Sequence, residues 1–214
     1  MIDRMLKIID LKHPLREMDA EEYAVLKVNG IRFAIQCWKA EGLGHVSRMQ
    51  GRGMLGLMKM DTLIVNPTLR DLPLFSYDRI FAMGNDTLII ELYDTTSAAF
   101  TCEALDQVCE EAKRLPARDP GIHWYDDIRL SQSLSKKGKA SQTSDFDRVT
   151  EAYLEAWLHA ECLPLHDFTR KSEKTNAYVE GLLKNGGPST DVFLKKLGPD
   201  RTALLFRSLL FGTE

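Results

Sequence analysis

The stretch "RDLPLFSYDRIFAMGNDTLIIELYD", residues 70–94, contains two apolar segments separated by Gly84-Asn85. Aliphatic and aromatic runs on either side of Gly and Asn are typical of a β-hairpin with a two-residue loop. If Gly84-Asn85 is that loop, counting outward pairs Asp78 with Glu91. The pattern therefore predicts two carboxylates that face each other across neighbouring strands.

Such a pair has a chemical consequence. Directly opposed like charges are destabilising, and a partly buried pair tends to share a proton, which raises the pKa of one carboxyl towards neutrality. Asp78 and Glu91 are therefore candidate catalytic residues. Two alternatives stay open: solvent or Arg79 neutralises the acids, or a three-residue loop shifts the pairing by one residue and separates them.

A third acid, Asp61, lies in the middle of another apolar stretch, "GLMKMDTLIVN", at residues 56–66. Carboxylates in apolar surroundings often have altered pKa values at functional sites. Asp61 is therefore a further candidate catalytic residue.

The pattern around the hairpin predicts the fold class. Strand patterns cover residues 45–50, 56–66, 76–83 and 86–94, and helical patterns follow at 97–115, 145–163, 172–185, 189–198 and 200–211. We also expect a short helix around Met18 to Lys27 and a strand near Ile128 to Leu134, followed by a polar turn. Residues 30–40 fit either strand or helix. The prediction is an α+β protein of one domain, residues 1–214, with a central antiparallel β-sheet flanked by helices (an α/β/α sandwich) and a helical C-terminal half.

Composition excludes several classes of protein. The 214 residues carry a net charge of −3, with 28 basic and 31 acidic side chains, which argues against non-specific nucleic-acid binding. No apolar run approaches the roughly 20 residues of a membrane helix, and the N-terminus is too acidic for a targeting peptide. No zinc-type spacing or C-x-x-C pair is present. Residues 51–56, GRGMLG, have the G-x-G-x-x-G spacing, but a strand pattern follows them instead of the helix that a dinucleotide-binding site requires. We expect a cytoplasmic protein with no bound metal or cofactor and no membrane or nucleic-acid partner.

One motif resembles a known family. "LPLFSYD", residues 72–78, is similar to the Leu-Pro-Ile/Leu-Phe-x-x-Asp signature of the ferredoxin-dependent bilin reductases, whose fold is shared by red chlorophyll catabolite reductases. Segments around Cys37-Trp38 and Trp124, and the ending "PSTDVFLKKLGPDRTALLFRSLLFG", occur in the same order as in that family. The resemblance implies that Asp78 is the main proton donor, that Glu91 keeps a proton on Asp78, and that Asp61 occupies a second, variable proton-donating position.

The resemblance also implies a substrate-binding set, with departures from the family pattern. Met49 stands where the family has a glutamate, and Gly187-Pro188-Ser189-Thr190 retains only Thr190 of an Asn-Asp-Lys-Thr pattern. Lys136 falls where the family binds a substrate propionate. The candidate substrate-binding residues are Lys136, Met49, Thr190 and Phe193.

The implied activity is the reduction of a linear tetrapyrrole such as biliverdin through radical intermediates. The electrons come from reduced ferredoxin or a flavodoxin, and the family is mostly monomeric. Candidate residues for docking the acidic electron donor are Lys171, Lys174, Lys195, Lys196 and Arg201. Two alternatives remain open. The substrate is another open-chain product of chlorophyll or haem breakdown, or the protein binds a tetrapyrrole without catalysis.

Overall fold

The computed structural model describes residues 1–162, 165, 167–187 and 190–214, apart from the side chain of Met54. Within these ranges eight strands form one antiparallel sheet: β1 (Leu15–Met18), β2 (Val25–Val28), β3 (Ile31–Ala40), β4 (Gly44–Gly53), β5 (Met58–Asn66), β6 (Leu74–Ala82), β7 (Asn85–Tyr93) and β8 (Leu134–Lys139). β3 to β8 pair in chain order, and β1 and β2 both pair with β3. The predicted central antiparallel sheet is confirmed.

Helices cover both faces of the sheet. The described helices are α1 (Ile2–Lys12), α2 (Glu103–Ala112), α3 (Thr143–His159), α4 (Phe168–Asn185), α5 (Thr190–Leu197), α6 (Pro199–Leu204) and a π-helical turn, Leu205–Leu210. α1 to α3 pack on what we call the first face, and α4 to the π-helical turn pack on the second face. None of the described helices is both long and apolar enough to cross a bilayer. The fold is the expected α+β sandwich.

Alternation along the strands explains why both faces are covered. In β7, Leu88, Ile90 and Leu92 belong to the core under the first face, while Tyr93 belongs to the core under the second face. Because side chains of a strand point alternately to opposite faces, a strand that is apolar on both sides must be buried on both sides. β5 and β6 also carry apolar side chains on both faces: Leu63 and Tyr77 belong to the core under the first face, and Ile64 and Leu74 to the core under the second.

Several sequence predictions were wrong in detail. The stretch 18–27 is not a helix: it contains the end of β1, a short 3-10 turn at Glu21–Tyr23 and β2. Residues 31–40 are strand, which the sequence left open. The helix predicted from Ser97 begins only after Cys102, because Ser97 instead donates its amide and hydroxyl to Asp71. The strand expected near 128–134 begins at Leu134, so Lys136 lies within a strand instead of a turn.

The C-terminal segment is held against the sheet by three side chains of β4 and β5. His45 Nε2 lies 2.8 Å from the Leu209 carbonyl oxygen. Ser47 donates to the carbonyl of Leu210, and Asn66 donates to that of Phe211. The last carbonyl groups of a helix have no partner within the helix, so these side chains satisfy buried acceptors that would otherwise be costly. The π-helical turn is thereby fixed over the second face.

A buried ion pair stabilises the first face. The Arg79 guanidinium donates to both oxygens of Asp86, with 2.6 Å between Nη2 and Oδ2, and both side chains are almost completely excluded from solvent. Thr143 donates a further hydrogen bond of 2.8 Å to Asp86. The Phe146 ring lies beneath the guanidinium, 5.0 Å from its carbon to the ring centroid. The pair therefore joins β6 and β7 to the start of α3.

We predict that Asp86→Ala lowers the free energy of unfolding by about 3 kcal/mol, because the buried Arg79 guanidinium loses its two-oxygen partner and keeps only the Asp147 carboxylate, 3.4 Å from Nη2. Urea denaturation followed by circular dichroism measures this loss. Asp145→Asn, which removes the carboxylate of an exposed ion pair with Arg148, is the control and should cost less than about 1 kcal/mol. Equal losses in the two variants would contradict the assignment.

Candidate functional site

The turn between β6 and β7 sets the relation between the two predicted carboxylates. Its loop is Met83-Gly84, with φ of 51° and 74°, and Ala82 pairs with Asn85. A two-residue hairpin loop with positive φ at both positions favours glycine as the second residue, whereas the sequence prediction made Gly84 the first. Asp78 consequently pairs with Ile89, and Glu91 pairs with Ser76. The direct Asp78–Glu91 pairing was wrong.

The two acids nevertheless share a face. Moving the loop by one residue shifts every pair by two positions, and side chains two apart on a strand point the same way. Asp78 and Glu91 are therefore diagonal neighbours on the second face of the sheet. Both line the same cavity.

This cavity, of about 260 Å³, lies between the second face and the C-terminal helices. Its floor is formed by side chains of β4 to β7, and its roof by α4, α5 and the C-terminal segment. The lining is mostly aliphatic and aromatic, with few polar groups. The floor includes Met49, Met60, Thr62, Ile64, Ser76, Asp78, Ile80, Ile89, Glu91 and Tyr93, and the roof includes Tyr178, Leu182, Gly187, Thr190, Phe206, Leu210 and Phe211.

Asp78 occupies the middle of the floor. Thr62, directly opposite on β5, donates its hydroxyl to Asp78 Oδ1 at 2.5 Å. Burial among apolar groups raises the pKa of Asp78 to about 6; the Thr62 hydrogen bond opposes this shift and the charge of Glu91 adds to it. A carboxyl with this pKa can both release and take up a proton near neutral pH.

Glu91 has different surroundings from those of Asp78. The Tyr93 hydroxyl donates to Glu91 Oε2 at 2.6 Å, and Arg129 Nη1 lies 3.3 Å from Oε1. These two contacts fix the orientation of the Glu91 side chain. The ring of Tyr178 packs 4.2 Å from that of Tyr93, and burial holds the pKa of both phenols well above the ordinary range. Glu91 is therefore held in a fixed position beside Asp78.

One wall of the cavity comes from the long connection between α2 and β8, residues 113–133, which we call the cavity loop. It supplies Arg118, Pro120, His123 and Tyr125 to the lining. Trp124 attaches the loop to α4, because its indole Nε1 donates to the Gly186 carbonyl at 3.2 Å and its ring lies against Gly181. A side chain at position 181 would overlap that ring, so the close approach requires glycine there.

The candidate residues predicted from the sequence fall into two groups. Asp78, Glu91, Met49 and Thr190 line the cavity. Phe193 is fully buried beside it, 5.1 Å between ring centroids from Phe33, and is not part of the lining. Pro188 and Ser189, where the family pattern was lost, lie outside the described residues.

Asp61 and Lys136 lie on the first face, away from the cavity. Asp61 is one residue from Thr62 and so points to the opposite side of β5, where it accepts hydrogen bonds from Arg52 at 2.7 Å and Gln50 at 3.1 Å. Lys136 pairs with Leu88 and donates to the Leu115 carbonyl at 3.4 Å. The strand period of two explains both outcomes. We therefore correct their predicted roles at the substrate site.

Sequence reasoning missed Thr62, Tyr93, Arg118 and Tyr178. For Tyr93 a signal was present, because it lies two residues from Glu91 on the same strand. On β5 the sequence candidate was Asp61, and alternation from Asp61 points away from Thr62. Arg118 and Tyr178 belong to a loop and a helix whose positions depend on tertiary packing. In the described ranges, no group of three or more His, Cys, Asp or Glu side chains is arranged to hold a metal ion.

The fold is similar to that of a solved protein structure, although no sequence comparison finds a relative. No protein-family model matches the chain, and no curated protein sequence matches it. The crystal structure of phytochromobilin synthase from tomato in complex with biliverdin has the same fold, with a TM-score of 0.77 and 14% sequence identity. The match covers 99% of this chain and 82% of that chain. At this identity the likeness concerns the fold.

We predict that Asp78→Asn is more stable than the parent protein at pH 7.5, and that this advantage is much smaller at pH 4. Because the pKa of Asp78 is raised in the folded state, folding retains a proton that the unfolded chain has lost, and stability falls as pH rises through about 6. Residue 78 of the variant cannot ionise. The difference in free energy of unfolding between variant and parent should therefore increase by about 2 to 3 kcal/mol from pH 4 to pH 7.5. Urea unfolding of both proteins at both pH values measures this difference. Asp106→Asn, which removes an exposed carboxylate of α2, is the control, and an equal pH response in both variants would refute the raised pKa.

We also predict that Gly181→Ala displaces the cavity loop. A Cβ atom at position 181 would lie 2.2 Å from the Trp124 ring, so the indole must move away from α4. Near-ultraviolet circular dichroism and acrylamide quenching of tryptophan fluorescence should report a more accessible indole, with α4 still folded. Lys184→Ala, an exposed position of the same helix, should leave both signals unchanged.

Proposed function

We propose that the protein binds a linear tetrapyrrole in the cavity and reduces it by proton-coupled electron transfer from reduced ferredoxin. The observation that carries this proposal is Asp78, a carboxyl with a pKa of about 6 that projects into an apolar cavity. Three things support the choice of ligand: the fold, the crystallisation of the tomato neighbour with biliverdin, and the signature-like "LPLFSYD" that ends at Asp78.

The cavity suits one part of a tetrapyrrole. Conjugated rings favour flat contact with the aliphatic floor and the tyrosines of the roof. The cavity volume of about 260 Å³ lies just below the range of about 300 to 1,000 Å³ that is usual for small-molecule sites. A second cavity of about 270 Å³ adjoins it, shares Glu91 and Pro120, and is lined by Arg129 and the serines Ser131, Ser133 and Ser135. We expect the pigment to extend towards this polar cavity and the cavity loop to move outward as it binds.

The carboxylates of the pigment need cationic or hydrogen-bonding partners. Arg118 lines the apolar cavity and donates to Ser135 Oγ at 3.1 Å, so its guanidinium lies between the two cavities. Lys137 is exposed and lies on the second face, because it alternates with Lys136 on β8. Arg118 and Lys137 therefore replace Lys136 as the proposed propionate-binding residues.

The proposed chemistry consumes two electrons and two protons for each double bond. Two reduced ferredoxins each supply one electron, and the first transfer produces a pigment radical. Asp78 delivers a proton to the reduced pigment and is reprotonated from solvent. Glu91 is held near Asp78 by Tyr93 and Arg129, and its charge makes loss of the proton from Asp78 less favourable until the pigment becomes basic enough to take it.

Fewer residues remain as candidates for docking ferredoxin than the sequence indicated. Lys171 is buried and donates to the Leu72 carbonyl at 2.6 Å, and Lys174 is paired with Asp94 at 3.2 Å. Neither is free to meet an acidic partner. Arg201 is likewise paired, with Glu22 at 2.9 Å. Lys195 and Lys196, in the last turn of α5, remain the proposed contacts.

The test is an anaerobic absorption time course with biliverdin and a photoreduced ferredoxin. We expect a bound-pigment spectrum that passes through a radical band to a reduced bilin. Asp78→Asn should bind the pigment and slow the disappearance of the radical at least about a hundredfold, since general acid catalysis typically contributes that much. Asp61→Asn, on the opposite face, should retain turnover within about twofold.

Other outcomes separate the alternatives. Full turnover by Asp78→Asn would refute the assigned proton donor. Binding without reduction of biliverdin would favour a chlorophyll or haem catabolite as the substrate, or a tetrapyrrole carrier. Absence of binding would limit the likeness to the fold.

A further inference from the structure

Four basic side chains form a row across the first face of the sheet. The row lies close to the end of the sheet at which β2 turns into β3, β4 into β5 and β6 into β7. In the strand registers Lys27 stands opposite Arg32, Arg32 opposite Arg52, and Arg52 opposite Lys59. We call these four residues the basic row. Neighbouring strands are about 4.8 Å apart, so four like charges are aligned over roughly 15 Å. Directly opposed like charges destabilise a sheet.

The cost of this row is largely uncompensated within the described residues. Of the four cations only Arg52 has a carboxylate partner there, namely Asp61 at 2.7 Å. Lys27, Arg32 and Lys59 are exposed. Lysine on an edge strand is a common protection against aggregation, and that explanation fits Lys27 on β2. It does not fit Arg32 or Lys59, because β3 and β5 are interior strands. The row therefore indicates an anionic partner.

Beside the row, two adjacent hairpin tips expose apolar side chains. Leu55 and Leu57 lie in the turn between Arg52 and Lys59, and Leu55 is completely exposed with a positive φ of 55°. Met83, also exposed, lies at the neighbouring tip, because Met58 of β5 pairs with Ala82 of β6. A leucine with positive φ is uncommon and strained. Packing does not explain three exposed apolar side chains at protruding turns.

We propose that this end of the sheet docks on an anionic lipid surface. Leu55, Leu57 and Met83 would enter the boundary between headgroups and acyl chains, and the basic row would lie against the phosphates. Apolar insertion combined with nearby lysine and arginine is the general chemistry of interfacial anchors. Single exposed apolar side chains at hairpin tips can enter between lipid headgroups, whereas an acidic protein surface would need an apolar recess to receive them. A surface anchor leaves none of the sequence signals of a spanning helix, on which the expectation of no membrane partner rested.

This docking is independent of the reaction assigned to the cavity. It would nevertheless bring the cavity close to the bilayer, because Met60 and Ile80 of the cavity floor lie within three residues of the two tips. A hydrophobic pigment could then pass between membrane and cavity without crossing water.

The test is co-sedimentation of the full chain with phosphatidylcholine vesicles, with and without phosphatidylglycerol. We expect at least about tenfold tighter binding to the anionic vesicles, and loss of that preference in high salt. Leu55→Ser with Leu57→Ser should weaken binding to anionic vesicles at least about tenfold. Arg32→Glu with Lys59→Glu should remove the preference for anionic vesicles.

Matched controls sit elsewhere on the surface. Leu11→Ser removes an equally exposed leucine of α1, and Lys7→Glu reverses an exposed charge of the same helix. Both should bind vesicles as the parent does. Thermal unfolding monitors the fold of every variant.

Three results would overturn the proposal. One is equal binding to neutral and anionic vesicles, and another is unchanged binding by both tip and row variants. The third is evidence that this surface binds a protein instead of lipid. If the variants lose retention on an immobilised acidic ferredoxin, or lose self-association in sedimentation velocity, while vesicle binding is absent from the parent, the surface serves a protein.

Discussion

The pairing of β6 with β7 through the Met83-Gly84 loop is the constraint on which the site depends. This register places Asp78 and Glu91 on the second face and Arg79 and Asp86 on the first. Because alternate side chains of a strand point to opposite faces, a slip of one residue would move the ion pair into the cavity and the two acids into the helical core. The buried ion pair makes such a slip costly, so a structural interaction on one face secures the chemistry on the other.

Asp78 illustrates how a functional group reduces stability. Burial raises the pKa of this carboxyl to about 6, so at neutral pH the folded protein holds a mostly ionised group in an apolar cavity. The Thr62 hydroxyl offsets part of that cost, and the Glu91 charge adds to it. Glu91 is held near Asp78 by Tyr93 and by Arg129 from the cavity loop. The site therefore depends on a loop that is itself attached to α4 through Trp124 and Gly181.

The sheet separates three kinds of surface. Its second face forms the cavity, the middle of its first face packs on α1 to α3, and the uncovered part of that face carries the basic row beside exposed apolar tips. All three follow from one property of strands, that neighbouring residues point in opposite directions while opposed residues on paired strands point in the same direction. Asp61 belongs with Arg52 and the row for this reason, although it is adjacent in sequence to the Thr62 that contacts Asp78.

The sequence by itself determined the fold class and the antiparallel hairpins, and it singled out Asp78, which lines the cavity, because strand alternation, turn residues and a short acidic motif are local properties. It placed Met49 and Thr190 at the site only through a resemblance, and it put Asp61 and Lys136 there wrongly. Tertiary structure alone decided the loop register, the face of each strand residue, and the approach of Arg118, Tyr178 and Trp124 to the cavity. These depend on how loops and helices pack against the sheet, and no local pattern encodes contacts between residues so distant along the chain.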